Sequence, residues 1–397
     1  MVSAGQTWAN WSGQQTDTPS RILQPTSEAE LVDAVAGAAS DGLALRAVGA
    51  SHSHSRVAAT NGVLLDLDRY QGVVSSDLEL LQATVRAGSR IFELGAPLHE
   101  LGLALRNQGD IDKQSIAGAI STGTHGTGPT LQNLSASVEA VRLILGSGDV
   151  VDCDRSTPGD LFEVARHSLG GVGLISEVTL GVRPAYRLHE RLWKDDPASV
   201  FGRIEDLTSA TRHFEFFWMP QGDWCACKTL AETDAAPDPM VDEKYERIGW
   251  CHDIISSIRD DLHTEMEFAV PAHRGPECFM EIREMILSDF PDLQWPLEYR
   301  TLASDDLWIS AASGRETVTI SAHQDVSLDD RPLFEACEAI FSRYEGRPHW
   351  GKVHYRTGDE LAELYPRYRD WWAVRDAHDP DGVFVSEYLE SLRPLIG

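Results

Sequence analysis

Five stretches of the chain carry residue types able to do chemistry. Gly49-Ala50-Ser51-His52-Ser53-His54-Ser55 presents two imidazoles on a loop of small residues, a setting for metal ligation, proton exchange or a covalent bond to a cofactor, or simply an exposed polar loop. From Arg106 to Gly128 the chain reads RNQGDIDKQSIAGAISTGTHGTG, with Gly109, Gly118, Gly123, Gly126 and Gly128 among Ser115, Ser121, Thr122, Thr124 and Thr127. Such a run is too rich in glycine for a stable helix, and it lets backbone N–H groups and hydroxyls approach a large polar ligand. Ile111, Ile116, Ala117, Ala119 and Ile120 interrupt it, so it is tied into a core rather than strung out as a linker. In Pro296–Leu302 a strand period puts Glu298 and Arg300 on one face and Tyr299 on the other. In Thr317–His323 the same period aligns Thr317, Thr319, Ser321 and His323 against Val318, Ile320 and Ala322. Two strands with such polar faces suit a sheet lining a hydrophilic pocket, and equally one facing solvent. Finally, His349-Trp350-Gly351-Lys352-Val353-His354 places an ammonium where it could stabilise developing negative charge, or on a surface loop.

Several familiar routes to a ligand are missing. No GxGxxG follows a strand and no GxxxxGK[ST] occurs, so a nucleotide would have to be held some other way. No HExxH or Cys/His cluster supports a metal, and Cys225 with Cys227 is a CxC lacking a second pair. Six cysteines in 397 residues do not form a disulfide framework, and a reduced, cytoplasmic setting is expected. A formal charge of −28 argues against nucleic acid or an anionic membrane surface as partner. Neither a signal peptide nor a run of apolar residues long enough to span a bilayer is evident.

The elements that must position these residues alternate between helix and strand. Ser27-Glu28-Ala29-Glu30 reads as a capping box opening a helix that Gly42 closes. Strands are expected at 43–48, 63–67, 81–87 and 175–182, and a hairpin over 138–145 and 150–153. Ile91, Leu94, Leu98 and Leu101 suit a helix broken or kinked at Pro97, and a short helix is expected over 161–168. Beyond Pro184, strands at 213–219 and 266–270 alternate with helices near 276–287 and 332–344, and the acidic stretch 228–263 has no clear period. The order predicts an α+β chain with one unit over 1–184, a second over 185–345, and a return segment over 346–397.

Together these stretches resemble the sugar-1,4-lactone oxidases of the vanillyl-alcohol-oxidase flavoprotein superfamily, whose branches include gulonolactone and arabinonolactone oxidases and the alditol oxidases. RAVGASHSHS, NQGDIDKQSIAGAISTGTHGTG and LGGVGLISEVTL look like its FAD-binding domain, and HFEFFW, MEFAVP, PLEYRTL, RPHWGKVH and DPDGVF like its substrate domain. The resemblance implies FAD, joined covalently through His52 and cradled by Gly49, Ser51, Ser53, Gly109, Asp110, Ser115, Gly118, Ser121, Thr122, Thr124, His125, Gly126, Gly173 and Ile175. It implies Glu298 and Arg300 as substrate-orienting groups, His323 facing the flavin, and Lys352 beside the flavin's N1/C2=O edge. Either His323 or Glu298 would take the hydroxyl proton. Gly109 corresponds to a position governing oxygen access, which favours O2 as acceptor. The implied activity is oxidation of a secondary alcohol in a sugar lactone. An alditol or secondary-metabolite alcohol as substrate, or a dehydrogenase with another acceptor, is the alternative. The chain departs from the family at Ser51 and His54, where Gly and then Phe or Trp are usual, and at Asp110, where alditol oxidases carry serine.

Overall fold

A computed structural model describes residues 6–242, 245–257 and 261–395. Three parallel strands, Arg21–Leu23, Val63–Asp66 and β1 (Leu45–Val48), make one small sheet. A second, antiparallel sheet orders Val150–Asp154, Val138–Ile144, Leu174–Pro184, Gln82–Arg86 and Val73–Asp77. The expected hairpin is there, pairing Val150 with Ile144 through Asp154 with Ala140.

One local expectation fails for a tertiary reason. The glycine-rich run contains a helix, α1 (Ile116–Thr122), stopped by Gly123 in the left-handed region at φ 76°. Ile116, Ala117, Ala119 and Ile120 bury themselves in the core, and that burial overrides the propensity cost of Gly118. The helix Ile91–Glu100 is not broken at Pro97, which sits on its exposed side where water can satisfy the carbonyl left without a donor. Smaller differences are of the same kind. Ser27 Oγ caps the first helix by accepting from Glu30 N–H, but Glu30 reaches back to Thr26 N–H rather than to Ser27. The helix at Leu161 ends at Ala165.

The dominant element is a nine-stranded antiparallel sheet. Its order is Asp238–Asp242, Glu246–Trp250, Arg187–Asp195, β3 (Trp224–Thr233), β2 (His213–Met219), β5 (Leu297–Leu302), β6 (Thr317–Asp325), β4 (His263–Pro271) and Arg347–Pro348. The stretch without a legible period therefore supplies strands, apart from positions 243, 244 and 258–260, which lie outside the described residues. One face of this sheet carries Phe214, Phe216, Trp218, Met266, Phe268, Tyr299, Val318 and Ile320 into a core closed by helices Gly275–Asp289 and Arg331–Arg343. A separate core joins the first two sheets to Trp350, Tyr365, Tyr368, Trp371, Phe384 and Leu389 from the end of the chain.

Candidate active site

The polar face of the large sheet is assembled by register. Glu298 lies opposite Ser321, Arg300 opposite Thr319 and Glu215, Ser321 opposite Glu267, and His323 opposite Glu265. Period two thus sends every apolar neighbour to the helices and leaves a buried ionic surface on the other side. Across from it stand the loop after β1, the Gly109–His125 segment with α1, and the Leu169–Ile175 turn. Together they enclose about 1540 Å³ of empty space, counted to its open mouth.

Most of the residues singled out in the sequence line this cavity: Gly49, Ser51, His52, Ser53, Gly109, Asp110, Ser115, Gly118, Ser121, Thr122, Thr124, His125, Gly173, Ile175, Glu298, Arg300, His323 and Lys352. Gly126 does not. A Cβ there would meet Gln108 O at 2.2 Å and Asn107 Oδ1 at 2.6 Å, so its lack of a side chain serves the packing of two backbone segments behind the wall. Gly49 serves the wall itself, because a Cβ would fall 2.1 Å from Ser115 Oγ and force the loop away from α1. Arg46, fully buried, donates to Val57 O, Leu169 O, Gly170 O and Phe384 O and so ties four segments around the cavity.

The loop 49–55 separates its two imidazoles. Ser51 takes φ 55°, where a glycine would be unstrained, and is held there by Trp8 Nε1 donating to its Oγ at 3.1 Å. Its carbonyl also accepts from Trp11 N–H at 2.8 Å. His52 turns into the cavity and stacks on Trp11 at 5.0 Å, and burial lowers its pKa to about 4. His54 turns away from the cavity to stack on His263 at 5.4 Å.

The ionic groups form three linked sets. Arg300 Nη2 donates to Glu267 Oε2 at 2.6 Å and lies 3.2 Å from Glu298 Oε2. Burial works against its charge, yet Glu298 and Glu267 outweigh it and raise its pKa. Glu267 also meets His125 Nε2 at 2.6 Å and accepts from Ser321 Oγ at 2.9 Å, which bridges the two walls of the cavity. In the second set, Lys228 Nζ donates to Asp110 Oδ1 and Ile255 O and lies 3.1 Å from Glu215 Oε1 as an ion pair. Burial and then Asp110 push Glu215 up to about 8, against Lys228. In the third, Lys352 is bonded to Glu265, whose carboxylate also faces the Nε2 atoms of His54, His263 and His323 at 3.7–3.8 Å.

Two tautomers follow from backbone contacts. His323 Nδ1 donates to Pro296 O at 2.8 Å, which leaves the lone pair on Nε2, and burial holds the ring neutral with a pKa of about 4. His349 Nδ1 accepts from Gly351 N–H at 3.0 Å, so its Nε2 carries the proton. The cavity therefore offers one imidazole as acceptor and another as donor.

Sequence reasoning missed Glu265, Glu267, His263, Lys228 and Glu215. The signal was present for the first three: His263, Glu265 and Glu267 alternate on one face, but a strand started at Met266 leaves two of them out.

Residues 178–257 and 259–392 match the family model for D-arabinono-1,4-lactone oxidase, and residues 19–154 match an FAD binding domain. The chain belongs to the D-arabinono-1,4-lactone oxidase family. It is an FAD-dependent oxidoreductase. Among its relatives is the L-gulono-1,4-lactone dehydrogenase of Mycobacterium tuberculosis, 36% identical over 96% of this chain and 97% of that one. The L-gulonolactone oxidase of Mus musculus is 27% identical over 98% of each. In fold, the chain is similar to the cholesterol oxidase of B. sterolicum, with a TM-score of 0.85 and 16% identity over 99% of this chain and 97% of that one. The residues present fit FAD. One wall is a close-set cradle of glycine and hydroxyls, and the other supplies fixed cations and a buried Arg300 Nε that lacks a hydrogen-bond partner. No helix among the described residues is long and apolar enough to cross a membrane.

Proposed function

We propose that this enzyme oxidises a secondary alcohol in a sugar-1,4-lactone of the gulono- or arabinonolactone type and passes the electrons to O2, yielding H2O2. The observation that carries the reading is the alignment of Glu298, Arg300 and His323 on one buried sheet face, with Lys352 brought beside it by the segment after Pro348, opposite the glycine-rich cradle. Bound FAD supplies the two-electron acceptor. The cradle of Gly49, Ser51, Ser53, Gly109, Ser115, Gly118, Ser121, Thr122, Thr124, Gly173 and Ile175 would hold it, with His52 as its covalent attachment. Asp110 and His125 line the same cradle with their carboxylate and ring already engaged by Lys228 and Glu267.

Arg300 orients the lactone and Glu298 accepts from a substrate hydroxyl, both residues lining the cavity. His323 Nε2 receives the hydroxyl proton, since it carries a lone pair while Glu298 stands in an ion pair with Arg300. Lys352 stabilises negative charge that develops across the cavity. We read 1–184 as the FAD-binding unit, 185–345 as the substrate unit and 346–397 as the segment that returns Lys352 to the site. Six free, buried cysteines accord with a cytoplasmic setting.

Anaerobic mixing of the holoenzyme with a panel of aldono-1,4-lactones tests the substrate. Bleaching by L-gulono- or D-arabinono-1,4-lactone is expected, and bleaching by xylitol or sorbitol alone would replace the lactone with an alditol. Acid precipitation tests the attachment. Yellow colour stays in the pellet for the wild type and moves to the supernatant for His52→Ala, whereas release from the wild type would refute the covalent bond.

A further inference from the structure

Glu265 sits at the centre of the site with no part in the steps above. The residue is 4% exposed. Four groups face it: Lys352 from the segment after Pro348, His54 from the loop after β1, His263 from its own strand, and His323 from β6. A fifth, the Glu298 carboxylate of β5, lies within 4.8 Å of Glu265 and His323, and Arg300 beside it adds a more distant positive charge.

We propose that Glu265 takes up the second proton of each reduction, delivered through His323 Nε2, and that this uptake releases the Lys352 ammonium to the electron pair arriving on the cofactor. The inference rests on the reading of His323 as proton acceptor. The carbinol loses two electrons and two hydrogens. One hydrogen leaves carbon with the electron pair for the cofactor. The O–H bond breaks and its proton forms N–H at His323 Nε2. That N–H bond then breaks in turn, an O–H bond forms at Glu265 Oε1, 3.7 Å away, and His323 returns to its neutral form.

Three observations favour Glu265 as the place where the proton rests. First, in the resting site it neutralises Lys352, so its protonation frees one positive charge when one negative charge appears on the cofactor. Second, the surroundings suit a neutral acid. His323 Nδ1 donates to Pro296 O and burial keeps the ring neutral, so it aims an Nε2 lone pair at the carboxylate. Against an ionised Glu265 this is a contact between acceptors. Against a protonated one it becomes an O–H···N hydrogen bond. Third, burial pushes the Glu265 pKa up, while Lys352 and then His323 hold it well below the usual carboxylate range. Once Lys352 turns to another anion, burial prevails.

The test is the midpoint potential of the holoenzyme followed spectroscopically from about pH 6 to pH 8.5, with no substrate present. A tenfold change in a two-electron equilibrium is about 30 mV, so uptake of two protons lowers the potential by about 60 mV per pH unit and uptake of one by about 30 mV. The expected slopes are about 60 mV for the wild type and about 30 mV for Glu265→Gln. Lys352→Met should also fall to about 30 mV, because without the ammonium Glu265 is already protonated. A wild-type slope near 30 mV overturns the proposal even if the Glu265 variant fails to fold. A slope near 60 mV that persists in Glu265→Gln puts the proton elsewhere and overturns it too. Lactone turnover with a shallow wild-type slope would refute this inference alone, and a steep slope without lactone turnover would refute the substrate reading alone.

Discussion

Replacing Arg300 by methionine removes the guanidinium that lies between Glu267 and Glu298, two side chains only 2% and 3% exposed. Taking one partner from a buried ion pair costs about 3–5 kcal/mol, because the remaining charge stays out of water. His125 and Ser321 still serve Glu267 in the variant, so the lower end, about 3 kcal/mol, is expected. The pH dependence has a definite sign. In the wild type burial would raise the Glu267 pKa, but Arg300 and then His125 hold it well below the usual value. Its contribution to stability is therefore present above the unfolded glutamate pKa and lost only as pH falls through the lowered folded one. In Arg300→Met burial prevails and the folded pKa rises, so stability is instead lost as pH increases through it. Urea unfolding of the holoenzyme, followed by tryptophan fluorescence and cofactor absorbance at about pH 5.5, 7 and 8, measures the gap. It should widen from acid to alkaline pH and reach about 3 kcal/mol. A gap under about 1 kcal/mol, constant with pH, would mean that Arg300 is paired through solvent rather than within the protein.

Three further outcomes follow from single residues. Ser51 combines a strained φ with a useful hydroxyl, so Ser51→Gly should stay within about 1 kcal/mol of the wild type in the same unfolding assay, whereas Ser51→Ala keeps the strain, loses the Trp8 bond and should cost about 1 kcal/mol. At Gly109 a Cβ would press on His125 O at 3.0 Å, and in Gly109→Ala reoxidation by O2 should fall at least about tenfold while reduction by substrate changes little, a split of about 1.4 kcal/mol between two stopped-flow phases. Equal losses in both phases would assign Gly109 to packing alone. Lys228→Met takes the shared cation from the buried pair Asp110 and Glu215 and should destabilise the fold by about 3 kcal/mol at neutral pH in the same unfolding assay.

How far the sequence carried these conclusions depended on whether the controlling interaction was local. Glu298, Arg300 and His323 could be placed on pocket-lining faces because strand period is a local signal, and the register of β5 against β6 then makes the two polar faces coincide. The strand 263–271 was cut short because its first residues, His263-Thr264-Glu265, are polar and adjoin a stretch without a clear period. α1 escaped notice for the opposite reason: its local composition resists a helix, and contacts with distant core residues impose one. The pairs that organise the site join residues 142 apart for His125 with Glu267 and 118 apart for Lys228 with Asp110, and no periodicity records such a pairing.

The measurement closest to the central claim is the rate of cofactor reduction by a sugar-1,4-lactone carrying deuterium at the oxidised carbinol carbon, compared anaerobically with the protiated lactone. The arrangement of Arg300, Glu298 and His323 around a secondary alcohol predicts reduction by the lactone with a primary isotope effect well above one. It also predicts that His323→Phe slows this step at least about a hundredfold, about 2.7 kcal/mol of lost proton acceptance. Reduction that shows no isotope effect, or that proceeds as fast in His323→Phe, would contradict the assignment of this cavity to lactone oxidation by these residues.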